Sequence, residues 1–141
     1  MLESVKKAVE NFCTHQIGAS CELKDAPTDK RTLIAYIDIQ AENGSSYRIY
    51  IAAENDFIQR VSKLFLEEDK SDEETLKDMT LETTNLIIGS AKVIAEELGT
   101  PYTIGTPHFE KIGMFDFDYD ECRVMHIDND ELIIAIKELN V

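Results

Sequence analysis

Basic residues are scarce in this chain of 141 residues: fourteen Lys and Arg stand against twenty-eight Asp and Glu, a formal charge of -14. A field of that sign repels a phosphate backbone and an anionic membrane surface throughout their approach, which argues against nucleic-acid and membrane partners. Cysteine is scarce as well. Cys13, Cys21 and Cys122 are odd in number and form no C-x-x-C spacing, so neither a disulfide framework nor a zinc site has support; they read as small hydrophobes. Long apolar runs are missing, and the opening "MLESVKKAVENFCTHQIG" spaces its apolar residues helically, unlike a signal peptide or a membrane span. A cytoplasmic protein is expected. No Pro-rich or Ser-rich tract marks a linker, and 43% hydrophobic residues over this length supply one cored domain and hardly two. Gly-rich phosphate loops and nucleophile elbows are also missing, and His15, His108 and His126 have no mutual spacing that suggests metal or catalysis.

What is present is periodicity of two kinds. Leu2, Val5, Val9 and Phe12 recur at three and four, predicting an amphipathic helix that ends near Gly18. Residues 31–52 alternate instead, as "RTLIAYIDIQ" and "SYRIYIA" around Asn43-Gly44, the signature of two antiparallel strands and their turn. Helical spacing returns in "NDFIQRVSKLFL", followed by the solvated acidic connection "EEDKSDEE". Ser71 with Glu74 fits a capping box, and Gly99 before Thr100-Pro101 fits a stop, so a long helix is predicted between them, with a possible break near Asp78. After Pro107 the alternation resumes in "HFEKIG", "MFDFDY", "RVMHI" and "ELIIAIKEL", with Asp128-Asn129-Asp130 as the last turn. Phe115, Phe117 and Tyr119 are expected on one face of a strand with acids on the other. "DFDYDE" fails as a calcium loop, because Glu121 stands where the turn Gly is required and Ile127 where the bidentate Glu belongs. Strands that come in hairpins, with helices between the pairs, indicate an α+β two-layer domain: an antiparallel sheet with helices packed on one face, including the long one.

The polar positions of that long helix are unusual. Asp78, Glu82, Asn85, Gly89 and Glu96 step by four, three, four and seven and share one stripe, while Thr84, Ile87, Ile88, Ala91, Ile94, Ala95 and Leu98 form the opposite one, expected to bury against the sheet. Gly inside a helix costs about 1 kcal/mol relative to Ala, so helix stability did not choose the first stripe. Gly89 removes a side chain that would hold another surface away from the backbone and leaves Asn85 standing beside the gap. An Asn amide is no base near neutral pH but donates and accepts hydrogen bonds. It is therefore suited to orienting a water, as an amide does in GTP hydrolysis, where placement and charge stabilisation carry the catalysis. Glu82, one turn away, could anchor a basic group beside a phosphate. Leu86 and Val93 border the stripe as candidate partner contacts.

At these residues the chain resembles the chemotaxis phosphatases CheC, CheX and FliY, whose signature helix reads Asp or Ser, three residues, Glu, two residues, Asn, three residues, Gly, one residue and Ala. Asp78, Glu82, Asn85, Gly89 and Ala91 fill every position. Element order and chain size resemble the CheX-like branch over residues 1–141 as a single domain. Cys13 stands where CheC and FliY carry the Asn of a second Glu-x-x-Asn, so one active site is implied, and a flagellar-switch domain like that of FliY is not expected. The resemblance implies a two-component signalling hydrolase that removes the aspartyl phosphate of a CheY-type response regulator. Glu82 would contact the receiver's lysine beside its phosphorylation site, and Asn85 would insert and orient the attacking water. Asp78, Gly89, Leu86 and Val93 would meet the partner. Mg2+ would belong to the receiver, with no metal or cofactor bound by this chain, and a homodimer through an edge strand is implied. The alternative is a non-catalytic module that docks a receiver or a flagellar component with the same helix face.

Overall fold

The computed structural model describes residues 2–12, 22–24, 31–42, 44–127 and 130–139. Its elements follow in the order α1 (Leu2–Asn11), β1 (Glu22–Lys24), β2 (Arg31–Ala41), β3 (Ser46–Glu54), α2 (Asn55–Leu66), α3 (Glu73–Glu97), β4 (Tyr102–Ile104), β5 (His108–Met114), β6 (Glu121–Ile127) and β7 (Asp130–Glu138). The strands form one antiparallel sheet in the order β1-β6-β7-β3-β2-β4, with β5 also pairing β2. The expected α+β class, antiparallel sheet and long helix are all observed.

Alternation along the strands sorts side chains onto two faces. Leu33, Ile37, Ile39, Ile49, Ile51, Ala53, Leu132, Ile134 and Ile136 join Val5, Val9, Phe57, Val61, Ile87, Ile88 and Ala91 of the helices in one buried core. All three helices thus contribute to the core on one face. The other face is not left to solvent. Residues 115–120, expected as a strand, have no ladder partner and instead cross this face from β5 to β6. Phe115 and Phe117 lie against Tyr50 at ring-centroid distances of 5.5 and 4.9 Å, over Ile34, Ala52, Ile133 and Ala135. The acids of this segment fasten it: Asp116 accepts from Lys111 Nζ at 2.7 Å, and Asp120 accepts from the Glu138 backbone N–H at 2.7 Å. Hydrogen bonding from Lys111 holds the Asp116 carboxyl below its ordinary value. Cys122 is buried in the same layer, and burial pushes its thiol up to about 11.

Other expectations need adjustment. Helix α1 is described as helix to Asn11; Cys13, His15, Gly18 and Cys21 lie outside the described residues, as do Asn43, Asp128 and Asn129 of the two predicted turns. At the first turn, Gly44 has φ +89° and its N–H donates to the Ala41 carbonyl at 3.1 Å. Strands β1 and β4, three residues each, are too short to show a period. Among the described residues no helix is long and apolar enough to cross a membrane.

Candidate functional site

Helix α3 runs unbroken for 25 residues, with no break at Asp78. Its N-cap is Asp72, whose carboxylate accepts the Thr75 N–H at 2.8 Å, not Ser71. That backbone hydrogen bond holds the Asp72 carboxyl below its ordinary value. Ser71 is buried one residue earlier and fastens the acidic connection to α2: its N–H donates to Gln59 Oε1 at 2.7 Å, and its hydroxyl to Glu68 Oε2 at 2.7 Å. At the other end Gly99 has φ +78°, and its N–H and that of Thr100 donate to Glu96 and Ala95 carbonyls at 3.2 and 2.9 Å. This paired closure is what a glycine after the last turn permits. The helix is therefore fixed at both ends, about 37 Å apart at 1.5 Å per residue.

The inward side of α3 buries Leu76, Met79, Thr80, Thr83, Thr84, Ile87, Ile88, Ala91 and Ala95 against α1, α2 and strands β2 and β4. This matches the expected buried stripe except at its end, where Ile94 is half-buried and Leu98, the C-cap beyond the last turn, is 59% exposed. The threonines behave differently from one another. Thr80 and Thr84 donate to the carbonyls of Leu76 and Thr80, each at 2.8 Å, so their hydroxyls are satisfied by the preceding turn. Among the described residues the Thr83 hydroxyl is buried without a partner.

The outward side carries Asp78, Glu82 and Asn85, all exposed, with Gly89 half-exposed among them. Leu86 and Val93 are exposed beside them, at 39% and 54%. No described residue offers the side chain of Asp78, Glu82 or Asn85 a hydrogen bond or an ion pair. A Cβ added at Gly89 would meet nothing within 4 Å, so no packing inside the chain requires a glycine there. Glu96 ends the stripe, 3.4 Å from Lys92.

Chemically, the stripe presents a carboxylate and a carboxamide one turn apart, both with their hydrogen-bonding capacity free, on a helix held from behind by a packed core. Such groups can hold a cation and a water on a second molecule. Among the described residues no serine, cysteine or histidine adjoins Asn85, and no group of three or more His, Cys, Asp and Glu side chains could hold a metal ion.

The family model described as Chemotaxis phosphatase CheX matches residues 34–128, a span that includes the whole stripe. Among solved structures, the chemotaxis protein CheX of Vibrio vulnificus aligns with a TM-score of 0.80 and 14% identity, covering 96% of this chain and 95% of that one. A CheX of Desulfovibrio desulfuricans aligns at 0.76 and 16%, covering 97% of each chain. A chain of the CheX-CheY-BeF3-Mg2+ complex from Borrelia burgdorferi aligns at 0.69 and 17%, covering 97% of each. At such identities these likenesses speak for the fold. No curated protein matches.

Proposed function

The chain belongs to the chemotaxis phosphatase CheX family, and on that premise we propose that it hydrolyses the aspartyl phosphate of a CheY-type response regulator, using Glu82 and Asn85. Water attacks phosphorus, the bond from phosphorus to the receiver's aspartate oxygen breaks, and the carboxylate leaves with the electron pair. The proton of the water leaves with phosphate or solvent, so this chain need supply neither a nucleophile nor a base. Asn85 orients the water, accepting its hydrogen bond through the carbonyl or donating through the amide. Glu82 accepts from the receiver's lysine and fixes the two proteins in register. Mg2+ is expected in the receiver, which brings its own charge stabilisation. The Borrelia complex, which pairs a CheX with a CheY, makes a receiver the natural partner.

The observation that carries this reading is the free hydrogen-bonding capacity of Glu82 and Asn85 beside the bare backbone of Gly89. A helix face selected only for solubility would favour Ala, Lys or Glu over the Asn and the Gly. Asp78, Leu86 and Val93 surround the pair as partner contacts. We further propose a homodimer through an edge strand; β1 and the β4-β5 side are the two edges of the sheet. The test is phosphate loss from a phosphorylated CheY-type receiver with magnesium, with wild type, Glu82→Ala and Asn85→Ala compared. Acceleration by wild type and by neither variant is expected. Equal acceleration by all three would sink the assignment, and binding without acceleration would leave a docking module.

A further inference from the structure

Resting on the receiver-phosphatase reading, we propose that an open cavity at the carboxyl end of α3 is a second anchor for the receiver, taking a basic side chain from it. The cavity, about 390 Å³, is walled by Lys92 and Glu96 of α3, Glu42 and Gly44 of the β2–β3 turn, and Pro101 and Tyr102 at the start of β4.

Position supplies the first argument. Asn85, Gly89, Lys92 and Glu96 are related by steps of four, three and four and form one row along the helix. At 1.5 Å per residue Lys92 lies roughly 10 Å, and Glu96 roughly 16 Å, beyond Asn85. Gly89 lies between, with open space where a side chain would stand. A body seated on Asn85 therefore crosses bare backbone and arrives at the cavity, a span well within one protein interface. The neighbouring cavity of about 350 Å³ shares Gln40 and Thr103 but includes no residue of α3, so the row does not lead to it.

Chemistry supplies the second. Pro101, half-buried, offers apolar surface for an aliphatic stem, and Tyr102, at 3% exposure, belongs to the core behind it and closes the floor. Glu42 and Glu96 are exposed carboxylates at the rim. Among the described residues of the wall the one cation is Lys92, already 3.4 Å from Glu96. Two carboxylates against one lysine favour an incoming Arg or Lys and disfavour an acidic residue, and the chain's charge of -14 acts in the same direction.

The experiment uses a CheY-type receiver carrying beryllofluoride and magnesium for binding, and its phosphorylated form for turnover, with wild type, Glu96→Lys, Thr103→Trp and Asn85→Ala. Lys is favourable in the last turn of a helix and Trp in a strand, so both cavity variants are expected to fold, with melting curves as the check. Glu96→Lys reverses the rim charge, and Thr103→Trp fills the cavity without changing charge. Both are expected to raise Kd and KM about tenfold with turnover at saturating receiver close to wild type, whereas Asn85→Ala loses turnover. Unchanged Kd and KM in both cavity variants, with Asn85→Ala inactive, would overturn the anchor and leave the phosphatase reading standing. Receiver binding without turnover, weakened by both cavity variants, would keep the anchor and remove the phosphatase reading. A wild type that binds no such receiver overturns both.

Discussion

Gly89 sits inside a 25-residue helix with open space where its Cβ would be, so its replacement separates stability from function. Gly89→Ala should stabilise the fold by about 1 kcal/mol in denaturant titration and slow receiver dephosphorylation by holding the partner off the backbone. A stabilised variant of wild-type activity would remove the clearance role. Thr83 makes the complementary case on the inward side. Its buried hydroxyl has no partner among the described residues, and an unsatisfied buried hydroxyl costs on the order of 1–3 kcal/mol, so Thr83→Val should raise the unfolding free energy by about 1 kcal/mol. A loss of stability would show that the hydroxyl has a partner after all. The outward residues were legible in the sequence because Gly and Asn contradict helix propensity there. The orphan hydroxyl was not, because Thr80, Thr83 and Thr84 look alike until packing decides which can reach back to a carbonyl.

Elements with a sustained period were readable: "NDFIQRVSKLFL" is α2 to the residue, and the alternating pair around Gly44 is the β2–β3 hairpin, whose strands run on to Ala41 and Glu54. Where the reading failed, local pattern and tertiary role had parted. The alternating aromatics Phe115, Phe117 and Tyr119 do not mark a ladder strand; the alternation serves a connection that covers the second face of the sheet. Ser71 and Asp72 both suit an N-cap by type, and burial of Ser71 against α2 leaves Asp72 to do it. That cap carries a pH dependence. Because the Thr75 N–H holds the Asp72 carboxyl below its ordinary value, its stabilisation is complete above the ordinary carboxylate range and disappears as pH falls through the lowered value. Asp72→Asn keeps a capping oxygen without the charge. Wild type should therefore melt above this variant at neutral pH and together with it in strong acid; an advantage that persisted in acid would contradict the cap assignment.

At the scale of the molecule, the sheet carries the helical core on one face and the aromatic connection on the other, and this leaves α3 free to present its polar stripe outward. An excess of fourteen acidic charges makes a partner that offers lysine or arginine the favoured one, and receiver binding should weaken as salt is raised. The proposed homodimer is checked by sedimentation, where a strict monomer at high concentration would exclude it. The central claim concerns Asn85, which is held to act on the attacking water and to contribute little to affinity. Its most direct test is single-turnover dephosphorylation of a phosphorylated receiver at saturating wild type and at saturating Asn85→Ala, with binding measured alongside. The account predicts a rate lower by about 100-fold or more in the variant with near-normal binding; a variant that matches the wild-type rate once saturated would contradict it.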